Sequence, residues 1–382
     1  ERPIRAAHPG VSEELEAAIM KALEYEADAR YQTAEEMKRA LLAAARRSTI
    51  ASAPSAPVAR STPGIMAVWE FLCEDEIRST AWVEGPHLYV GCYDHNLYAL
   101  DARSGQFVWK YPTEGGVPSS PIRWKDAVIV GSEDGHVYAV HAARGTVLWT
   151  FRTEGKVRSS PRLAYEHIFI GSDDGHLYVL NALTGRLAWK SRTLGPVRST
   201  PLVVEDTVFF GSEDGTVYAL DVRSGETRWR FHTSLGVTSS PAQFEELIIV
   251  GSKDHHVYAL NRKSGWAVWR YRARHRIVSS PCIWEGRVYI GCADGNLYAL
   301  EADSGRYLWK FATEGQVTSS PKVQEGAVYF GSVDGAVYCV DAKNGKLRWQ
   351  FRTGGAVVAS PTIANGLVYI GSTDHKMYAL PL

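Results

Sequence analysis

The stretch Gly131-Ser132-Glu133-Asp134-Gly135-His136-Val137-Tyr138-Ala139-Val140, followed nine residues later by Trp149, decides the fold of this chain. The same pattern returns at a fixed spacing of 40 residues, eight times in all, without a one-residue slip. Its tryptophans are Trp69, Trp109, Trp149, Trp189, Trp229, Trp269, Trp309 and Trp349, and its aspartates are Asp94, Asp134, Asp174, Asp214, Asp254, Asp294, Asp334 and Asp374. A period of this length, held over so many copies, predicts a repeat architecture.

Each copy reads as four short strands. Residues 128–132 and 136–140 are β-branched or aromatic runs, and the connection Glu133-Asp134-Gly135 suits a tight hairpin turn closed by a left-handed glycine. A second turn ends at Gly145 and leads into a third strand with Trp149, and a fourth strand begins at Ser159-Ser160-Pro161. Four antiparallel strands in each period of about 40 residues predict a propeller blade rather than a helical repeat.

The two ends of the repeat region predict how the ring closes. The region begins at Met66, in the strand that carries Trp69, and it stops at Leu382, just after the strand that carries Tyr378. The last blade therefore lacks an outer strand that the N-terminus can supply, and this pairing removes the exposed sheet edges. The predicted fold is all-β: an eight-bladed β-propeller of four-stranded antiparallel blades, closed by the N-terminal strand and preceded by a short helical segment.

The charge balance excludes some classes of partner. The chain has 382 residues, with 42 Lys plus Arg and 42 Asp plus Glu, so its formal net charge is zero. This balance argues against nucleic acid as a partner. No apolar run reaches the roughly 18 residues of a membrane helix, and no signal segment is visible. We expect a monomer with no membrane span, in the cytoplasm, or in the periplasm if a signal segment is missing from this sequence.

Neither a metal nor a cofactor is expected. The five cysteines are an odd number without close metal-type spacing, and they predict free thiols: Cys73, Cys92, Cys282, Cys292 and Cys339. Each hairpin turn offers one carboxylate, whereas calcium takes six to eight oxygen ligands, so the aspartates are interpreted as turn residues. Histidines such as His95 and His136 are dispersed at one or two per blade, which does not suit a four-ligand site.

Residues 1–47 differ from the repeats and predict two helices. Residues 9–23 (Pro-Gly-Val-Ser-Glu-Glu-Leu-Glu-Ala-Ala-Ile-Met-Lys-Ala-Leu) and 28–37 (Asp-Ala-Arg-Tyr-Gln-Thr-Ala-Glu-Glu-Met) resemble the last two helices of bacterial Ser/Thr protein kinase domains. The resemblance departs from the family near Ala27, where a proline is usual, and the catalytic motifs of the kinase family are absent. Residues 48–65 form a flexible Pro/Ser/Ala linker, and residues 66–382 form the propeller.

The blades resemble the PQQ-type repeat family. The residues that carry the resemblance are Tyr98-Ala-Leu-Asp-Ala-Arg-Ser-Gly105-Gln-Phe-Val-Trp109 and its seven relatives. In that family the motif docks the tryptophan of the outer strand between neighbouring blades, so the resemblance implies a packing role for Trp109. A stacking platform for a ligand is the alternative role for this residue.

The Ser-Ser-Pro segments predict the lining of the central channel. Proline follows the hydroxyl pair in seven of the eight copies, as at Pro161, and Ala81 is the exception. Proline lacks the N–H of a ladder partner and therefore suits an edge strand, which places this strand innermost. The serine hydroxyls then predict a polar channel.

Cations near these inner strands are the candidate binding residues. They are Arg78, Lys156, Arg158, Arg198, Arg274, His275 and Arg276. Gathered around one channel mouth, they could hold an anionic small ligand or an acidic peptide. The alternative is a solvated rim whose charge is offset by Glu76, Glu114, Glu154 and Glu314.

We predict a non-catalytic, ligand- or protein-binding propeller that is the sensory or interaction module of a bacterial Ser/Thr protein kinase. Its partners would be a kinase domain in cis, another protein or peptide, or an anionic small ligand. The alternative is a BamB-type envelope assembly scaffold, which expects a lipid-attachment cysteine, whereas Cys73 already lies inside the repeats. Quinoprotein dehydrogenases are similar in their blades, but they use an adjacent Cys-Cys pair and long insertions that this sequence lacks.

Overall fold

The computed structural model describes residues 13–24, 28, 30–33, 36–37, 40 and 65–382. These residues fall into two units, one within residues 1–61 and one within residues 62–382. The predicted linker, apart from Ile65, and the predicted helix cap at Ser12 lie outside the described residues. No helix in the described part is long and apolar enough to cross a membrane.

In the first unit the described residues include the helix α1 (Glu13–Ala22), and residues 36, 37 and 40 are also helical. After the helix, the Thr33 hydroxyl accepts a hydrogen bond from the backbone N–H of Glu36 at 3.2 Å. This bond is one half of the capping box that the sequence predicts at this point. The Lys21 ammonium lies 5.0 Å from the centre of the Tyr31 ring.

The second unit consists of short strands. They are β1 (Trp69–Leu72), β2 (Trp82–Glu84), β3 (His87–Gly91), β4 (Asn96–Asp101), β5 (Phe107–Pro112), β6 (Ile122–Trp124), β7 (Ala127–Gly131), β8 (His136–His141), β9 (Val147–Arg152), β10 (Arg162–Ala164), β11 (His167–Gly171), β12 (His176–Asn181), β13 (Leu187–Arg192), β14 (Leu202–Val204), β15 (Thr207–Gly211), β16 (Thr216–Asp221), β17 (Thr227–His232), β18 (Ala242–Phe244), β19 (Leu247–Gly251), β20 (His256–Asn261), β21 (Ala267–Arg272), β22 (Cys282–Trp284), β23 (Arg287–Cys292), β24 (Asn296–Glu301), β25 (Tyr307–Ala312), β26 (Lys322–Gln324), β27 (Ala327–Gly331), β28 (Ala336–Asp341), β29 (Leu347–Arg352), β30 (Thr362–Ala364), β31 (Leu367–Gly371) and β32 (Lys376–Pro381).

These strands form eight four-stranded antiparallel sheets, which confirms the predicted propeller. Blade 1 is β2–β5, and the following blades take four consecutive strands each, up to blade 7 (β26–β29). Blade 8 is β30, β31 and β32, with β1 as its outer strand. The closing strand pairs Trp69 with Ala379 and Leu72 with Lys376, so the N-terminal strand seals the ring as predicted.

The closing strand pairs differently from the other outer strands. In blades 1 to 7 the register shifts once in the outermost pair, for example between Ala99 and Leu100 in blade 1. Such a shift is a bulge, which increases the local twist. The pairing of β1 with β32 runs over four residues, and the N–H of Val68 also donates to the carbonyl of Ala379, the partner of Trp69, at 2.8 Å. The ladder that closes blade 8 is therefore shorter than those of the other outer strands.

The hydrophobic core lies between neighbouring blades. One cluster, for example, joins Tyr89 and Trp109 of blade 1 to Val128 and Tyr138 of blade 2. The indole N–H of Trp109 donates a hydrogen bond to the carbonyl of Ala142 in the next blade at 2.8 Å. Seven outer-strand tryptophans make this bond at the same offset: Trp69, Trp109, Trp149, Trp189, Trp229, Trp269 and Trp309. Each blade is therefore stabilised mainly by its neighbours.

One local prediction was wrong. The inner strand of blade 3 begins at Arg162, after the proline, rather than at Ser159. The serines do not join a strand ladder because their polar groups bond across to other blades. The Ser159 hydroxyl, for example, donates to the carbonyl of Ser199 at 2.8 Å.

Candidate functional site

One face of the propeller carries the candidate residues, and we call it the turn-side face. It consists of the hairpin turns, such as residues 133–135, and the loops between blades, such as residues 114–118. Loops and turns of adjacent blades are bonded to each other. The N–H of Glu133 donates to the carbonyl of Gly116 at 2.9 Å, and the N–H of Glu114 donates to Asp134 Oδ2 at 2.9 Å.

The turn aspartates have the predicted local role and a second one across blades. Gly135 has a left-handed φ of 85°, and the histidines that replace this glycine in three blades have similar values, as at His95 with 67°. Asp174 Oδ1 accepts the backbone N–H of His176 at 3.0 Å. Its Oδ2 accepts the Tyr178 hydroxyl at 2.8 Å and the N–H of Glu154 in the preceding loop at 2.9 Å. Burial alone would raise the pKa of Asp174, but these hydrogen bonds outweigh it and hold the pKa below the ordinary value.

Two of the predicted cations, Arg158 and Arg198, lie in a chain of ion pairs. Arg158 donates to Glu133 and to Asp173, at 2.7 Å in each case. Arg198 donates to Asp173 at 2.8 Å and approaches Glu213 at 3.3 Å. We call this arrangement the ion-pair belt. The hydrogen bond that Arg198 donates to Asp173 raises the pKa of Arg198 above its ordinary value. Since each guanidinium already has two carboxylate partners, a further anion would have to displace one of them.

Lys156 and Arg78 are also paired. Lys156 donates to Glu133 at 2.7 Å. Burial alone would raise the pKa of Glu133, but hydrogen bonds from Lys156 and Arg158 hold it below the ordinary value. Arg78 donates to Glu76 at 2.6 Å and lies over the Tyr93 ring, 5.1 Å from its centre. These predicted residues are therefore paired with carboxylates, which offset their charge.

Arg274, His275 and Arg276 are arranged differently. All three are exposed, and His275 stacks on His255 with ring centres 5.5 Å apart. Among residues 65–382, neither the Arg274 nor the Arg276 side chain has a hydrogen-bond or ion-pair partner. These residues are therefore the part of the predicted set whose charge is open to a ligand.

The sequence-based prediction missed the apolar residues beside this basic loop. Leu194 is 91% exposed and Leu235 is 54% exposed, and both lie in the two loops that precede the basic one in the ring. We call these residues, with Arg274, His275 and Arg276, the apolar–basic sector. At the matching positions other loops carry acidic residues: Glu74, Asp75, Glu76, Glu114, Glu154 and Glu314. Aligning the loops at the 40-residue spacing would have revealed the difference.

Hydroxyl groups surround the central channel, as the sequence predicts. The backbone N–H of one inner segment donates to the serine hydroxyl of the next, at 2.9 Å, from Thr80 to Ser120, Ser120 to Ser160, Thr200 to Ser240, Ser240 to Ser280, Ser280 to Ser320, and Ser320 to Ser360. Among the described residues, this bond is missing at two of the eight places, and at both of them the acceptor would be a threonine hydroxyl. Its branched Cβ restricts the rotamer of the hydroxyl.

The central channel includes a cavity of about 840 Å³, which is lined by the inner strands and the Ser-Pro segments before them. Its lining includes Arg123, Arg162 and Lys322 but contains no acidic residue. Arg123 pairs with Glu84 at 3.7 Å. Arg162 and Lys322 are exposed and have no ion-pair partner within residues 65–382. They lie in blades 3 and 7, which are opposite each other in a ring of eight.

Comparisons with known proteins agree with this architecture. The family model described as outer membrane protein assembly factor BamB matches residues 66–166, 157–291, 215–319 and 293–381. A search of curated protein sequences gives no match. The structure is similar to BamB from Moraxella catarrhalis, at 17% identity and a TM-score of 0.72, over 83% of this chain and 100% of that one.

Two other solved structures illustrate how widely the fold is used. The computationally designed protein Ika8 aligns at 17% identity and a TM-score of 0.74, over 81% of this chain and 98% of that one. Quinohemoprotein alcohol dehydrogenase from Comamonas testosteroni aligns at 15% identity and a TM-score of 0.73, over 83% of this chain and 76% of that one. At such identities the likeness concerns the fold alone.

Proposed function

This chain belongs to the family described as outer membrane protein assembly factor BamB, and from that premise we propose that its propeller is a non-catalytic module that binds a partner protein. The site is the apolar–basic sector of the turn-side face. The observation that carries this proposal is the asymmetry of that face. Leu194 and Leu235 are exposed in the two loops that precede the loop with Arg274 and Arg276, while four of the five remaining loops carry a glutamate at the position of Leu194. Such a sector suits a partner segment with both acidic and apolar side chains.

The absence of enzyme activity is part of the proposal. The sequence has no adjacent cysteines, and every blade keeps its 40-residue frame, which leaves no room for the insertions that form a quinoprotein active site. The family match favours an interaction role, whereas the likeness to quinohemoprotein alcohol dehydrogenase concerns the fold alone.

Two biological settings fit this binding role. The resemblance of residues 9–41 to the end of a Ser/Thr kinase domain supports a sensory or interaction module joined to a kinase. The family membership supports the alternative, a BamB-type envelope assembly scaffold. The genomic sequence upstream of Glu1 separates them. A reading frame with His-Arg-Asp and Asp-Phe-Gly supports the first, and a signal peptide with a lipid-attachment cysteine supports the second.

A peptide-binding experiment tests the docking sector. We expect a labelled peptide of alternating Glu and Leu residues to bind the full chain in a fluorescence anisotropy titration. Binding should weaken at high salt, and it should fall at least about tenfold in the double variants Leu194→Ser/Leu235→Ser and Arg274→Glu/Arg276→Glu.

The matched control for this titration is Leu183→Ser, because Leu183 is 68% exposed but lies in a turn outside the sector. This variant should bind the peptide as the wild type does. Equal binding of a Lys/Leu peptide, or equal losses in the control and the sector variants, would contradict the proposal.

A specific observation favours a second ligand, a small organic anion in the channel. Arg162 and Lys322 face the cavity from opposite blades without a carboxylate partner. We expect citrate to raise the thermal unfolding midpoint of the wild type and to have at most half that effect on Arg162→Gln/Lys322→Gln. The control Arg186→Gln/Lys346→Gln changes one arginine and one lysine in turns outside the channel, and it should respond as the wild type does. An equal response of all three proteins would exclude the channel site.

A further inference from the structure

The junction between blade 8 and blade 1 carries a pair of thiols, and we call this junction the seam. Cys73 directly follows the closing strand β1, and Cys92 directly follows β3 in blade 1. Both side chains are buried, and both are free thiols. Their sulfur atoms lie within 4.8 Å of each other. The odd number of cysteines and their wide spacing in the sequence gave no sign of this pair.

The other blade junctions show which residues usually occupy these two positions and how close their side chains lie. The same two positions, 19 residues apart, carry a threonine and a serine in six of the other seven junctions. Where blade 8 follows blade 7, the Ser372 hydroxyl lies 3.3 Å from that of Thr353. The preceding junction repeats this contact between Ser332 and Thr313, also at 3.3 Å. The fold therefore brings these two side chains into contact, and at the seam both of them are cysteines.

A natural control exists in the same chain. At the junction before blade 6, Cys292 occupies the serine position, but the residue opposite is Ala273. Cys292 is buried like Cys92 but has no thiol opposite it. Only at the seam does this chain have both sulfur atoms that a crosslink requires.

The seam is also where a crosslink has a structural consequence. The backbone N–H of Cys73 donates to the carbonyl of His375 in blade 8 at 2.8 Å, whereas Cys92 belongs to blade 1. The closing strand β1 pairs with β32 over four residues, with further backbone bonds from Val68 and Cys73, and no turn joins the two strands. A covalent bond from Cys73 to blade 1 therefore fixes the end of the strand that closes the ring.

We propose that Cys73 and Cys92 form a reversible disulfide that locks the closing strand. In the reaction the two thiols lose two protons and two electrons, and one S–S bond forms between them. The electrons and protons pass to a low-molecular-weight disulfide such as oxidised glutathione, whose S–S bond breaks to give two thiols. The sulfur atoms must approach from their present separation to about 2.05 Å, which side-chain rotation in contacting residues can supply. This inference does not depend on the proposed partner.

A metal ion suits the pair less well, although Asp94 also lies within reach of both sulfur atoms. Its carboxylate already accepts hydrogen bonds from the backbone of Glu74 and Asn96 and from the Tyr98 hydroxyl. The same set of bonds holds the turn aspartate in other blades. A structural zinc site needs four protein ligands, and here two thiols and an occupied carboxylate are available.

The environment of the thiols predicts when the disulfide forms. The hydrogen bond with Cys92, and then burial, hold the pKa of the Cys73 thiol far above its ordinary value. The reactive thiolate is therefore scarce while the ring is closed. Oxidation should occur during folding, or when the closing strand opens, and the bond should then keep the strand in place.

Refolding of the full chain in a glutathione redox buffer tests the proposal. When the oxidised protein is denatured, we expect two of its five thiols to be unavailable to a thiol reagent. A mass-spectrometric digest under non-reducing conditions should contain the Cys73 and Cys92 peptides joined to each other. The oxidised protein should unfold at a midpoint a few degrees higher than the reduced protein, and its closing strand should be cut more slowly by protease.

Three variants complete the experiment. Cys73→Thr/Cys92→Ser restores the pair found at most other junctions, so it should fold, keep three thiols and lose the redox-dependent shift. Cys292→Ser should keep both the crosslink and the shift. Glutathione adducts without an internal bond, crosslinks to another cysteine, or an unfolding midpoint that does not depend on oxidation would each overturn the proposal. One equivalent of zinc bound by the wild type but not by Cys73→Thr/Cys92→Ser would do so as well.

Discussion

At the scale of single residues, a glycine and a tryptophan set the spacing between blades. Gly105 has a left-handed φ of 71°, and a Cβ added to it would lie 2.5 Å from the Trp69 ring. We predict that Gly105→Ala destabilises the protein by about 2–4 kcal/mol, because it combines backbone strain with overpacking against the indole. Urea denaturation measures the change in the free energy of unfolding.

Gly85 provides the control for this substitution. It also has a left-handed φ, 59°, but nothing lies within 4 Å of an added Cβ. Gly85→Ala should therefore cost only the backbone part, about 1–2 kcal/mol. Equal losses in the two variants would mean that the contact with Trp69 contributes nothing.

The turn residues mark the limit of sequence-based prediction at this scale. The left-handed glycine after Asp134 was predictable because turn chemistry depends on neighbouring residues. The bond from the Glu114 backbone to Asp134 was not, because its partners lie 20 residues apart in different blades. The regular spacing of Asp134 and Tyr138 was visible in the sequence, yet their hydrogen bond of 2.9 Å depends on how the hairpin is twisted.

At the scale of elements, the closing strand β1 differs from the outer strands of blades 1 to 7 because no turn joins it to its neighbour in the sheet. Trp69 in β1 and Trp229 in β17 are both 8% exposed and both donate to a carbonyl of the next blade. Each Trp→Ala substitution should cost about 3–5 kcal/mol. Only Trp69→Ala should also detach its strand, because β1 and β32 lie at opposite ends of the propeller sequence, whereas a turn joins β17 to β16. Detachment exposes the edge of β32, which can then pair with another molecule.

Limited proteolysis and size-exclusion chromatography distinguish the two substitutions. Trp69→Ala should be cut before Cys73 and should dimerise with rising concentration, whereas Trp229→Ala should do neither at the same loss of stability. Identical cleavage patterns would mean that closure does not depend on this side chain. The pairing of β1 with β32 was predictable from the phase of the repeats.

At the scale of the whole molecule, the fold was predictable and the binding site only partly so. The repeat fixes the number of blades, since each copy makes one sheet. The cations Arg158 and Arg198 were visible in the sequence, but their partner Asp173 belongs to a different turn, and no local pattern shows that it neutralises both. The exposure of Leu194 was likewise unpredictable, because an isolated leucine in a loop is equally compatible with burial.

The pH dependence of stability is a property of the whole ring. In all eight blades the tyrosine bonded to the turn aspartate has a raised pKa, caused first by burial and then by that hydrogen bond. For Tyr218 and Tyr258 it rises from 10.0 to about 12. Stability from these groups is therefore complete below pH 10, and it falls as the pH rises towards 12, because the unfolded chain releases protons that the folded chain keeps.

We predict a steep loss of stability that begins near pH 10 and is shared by all blades. Urea denaturation from about pH 8 to about pH 12 should show it, and the tyrosinate absorbance of these residues should appear only as the protein unfolds. Tyr258→Phe removes one of the eight groups and should reduce the slope of stability against pH in this range by about 1.4 kcal/mol per pH unit. Because seven of the eight tyrosines bond an aspartate that also holds the preceding loop, their ionisation should open several blade junctions together. Titration of these tyrosines near pH 10 in a protein that stays folded would contradict this linkage.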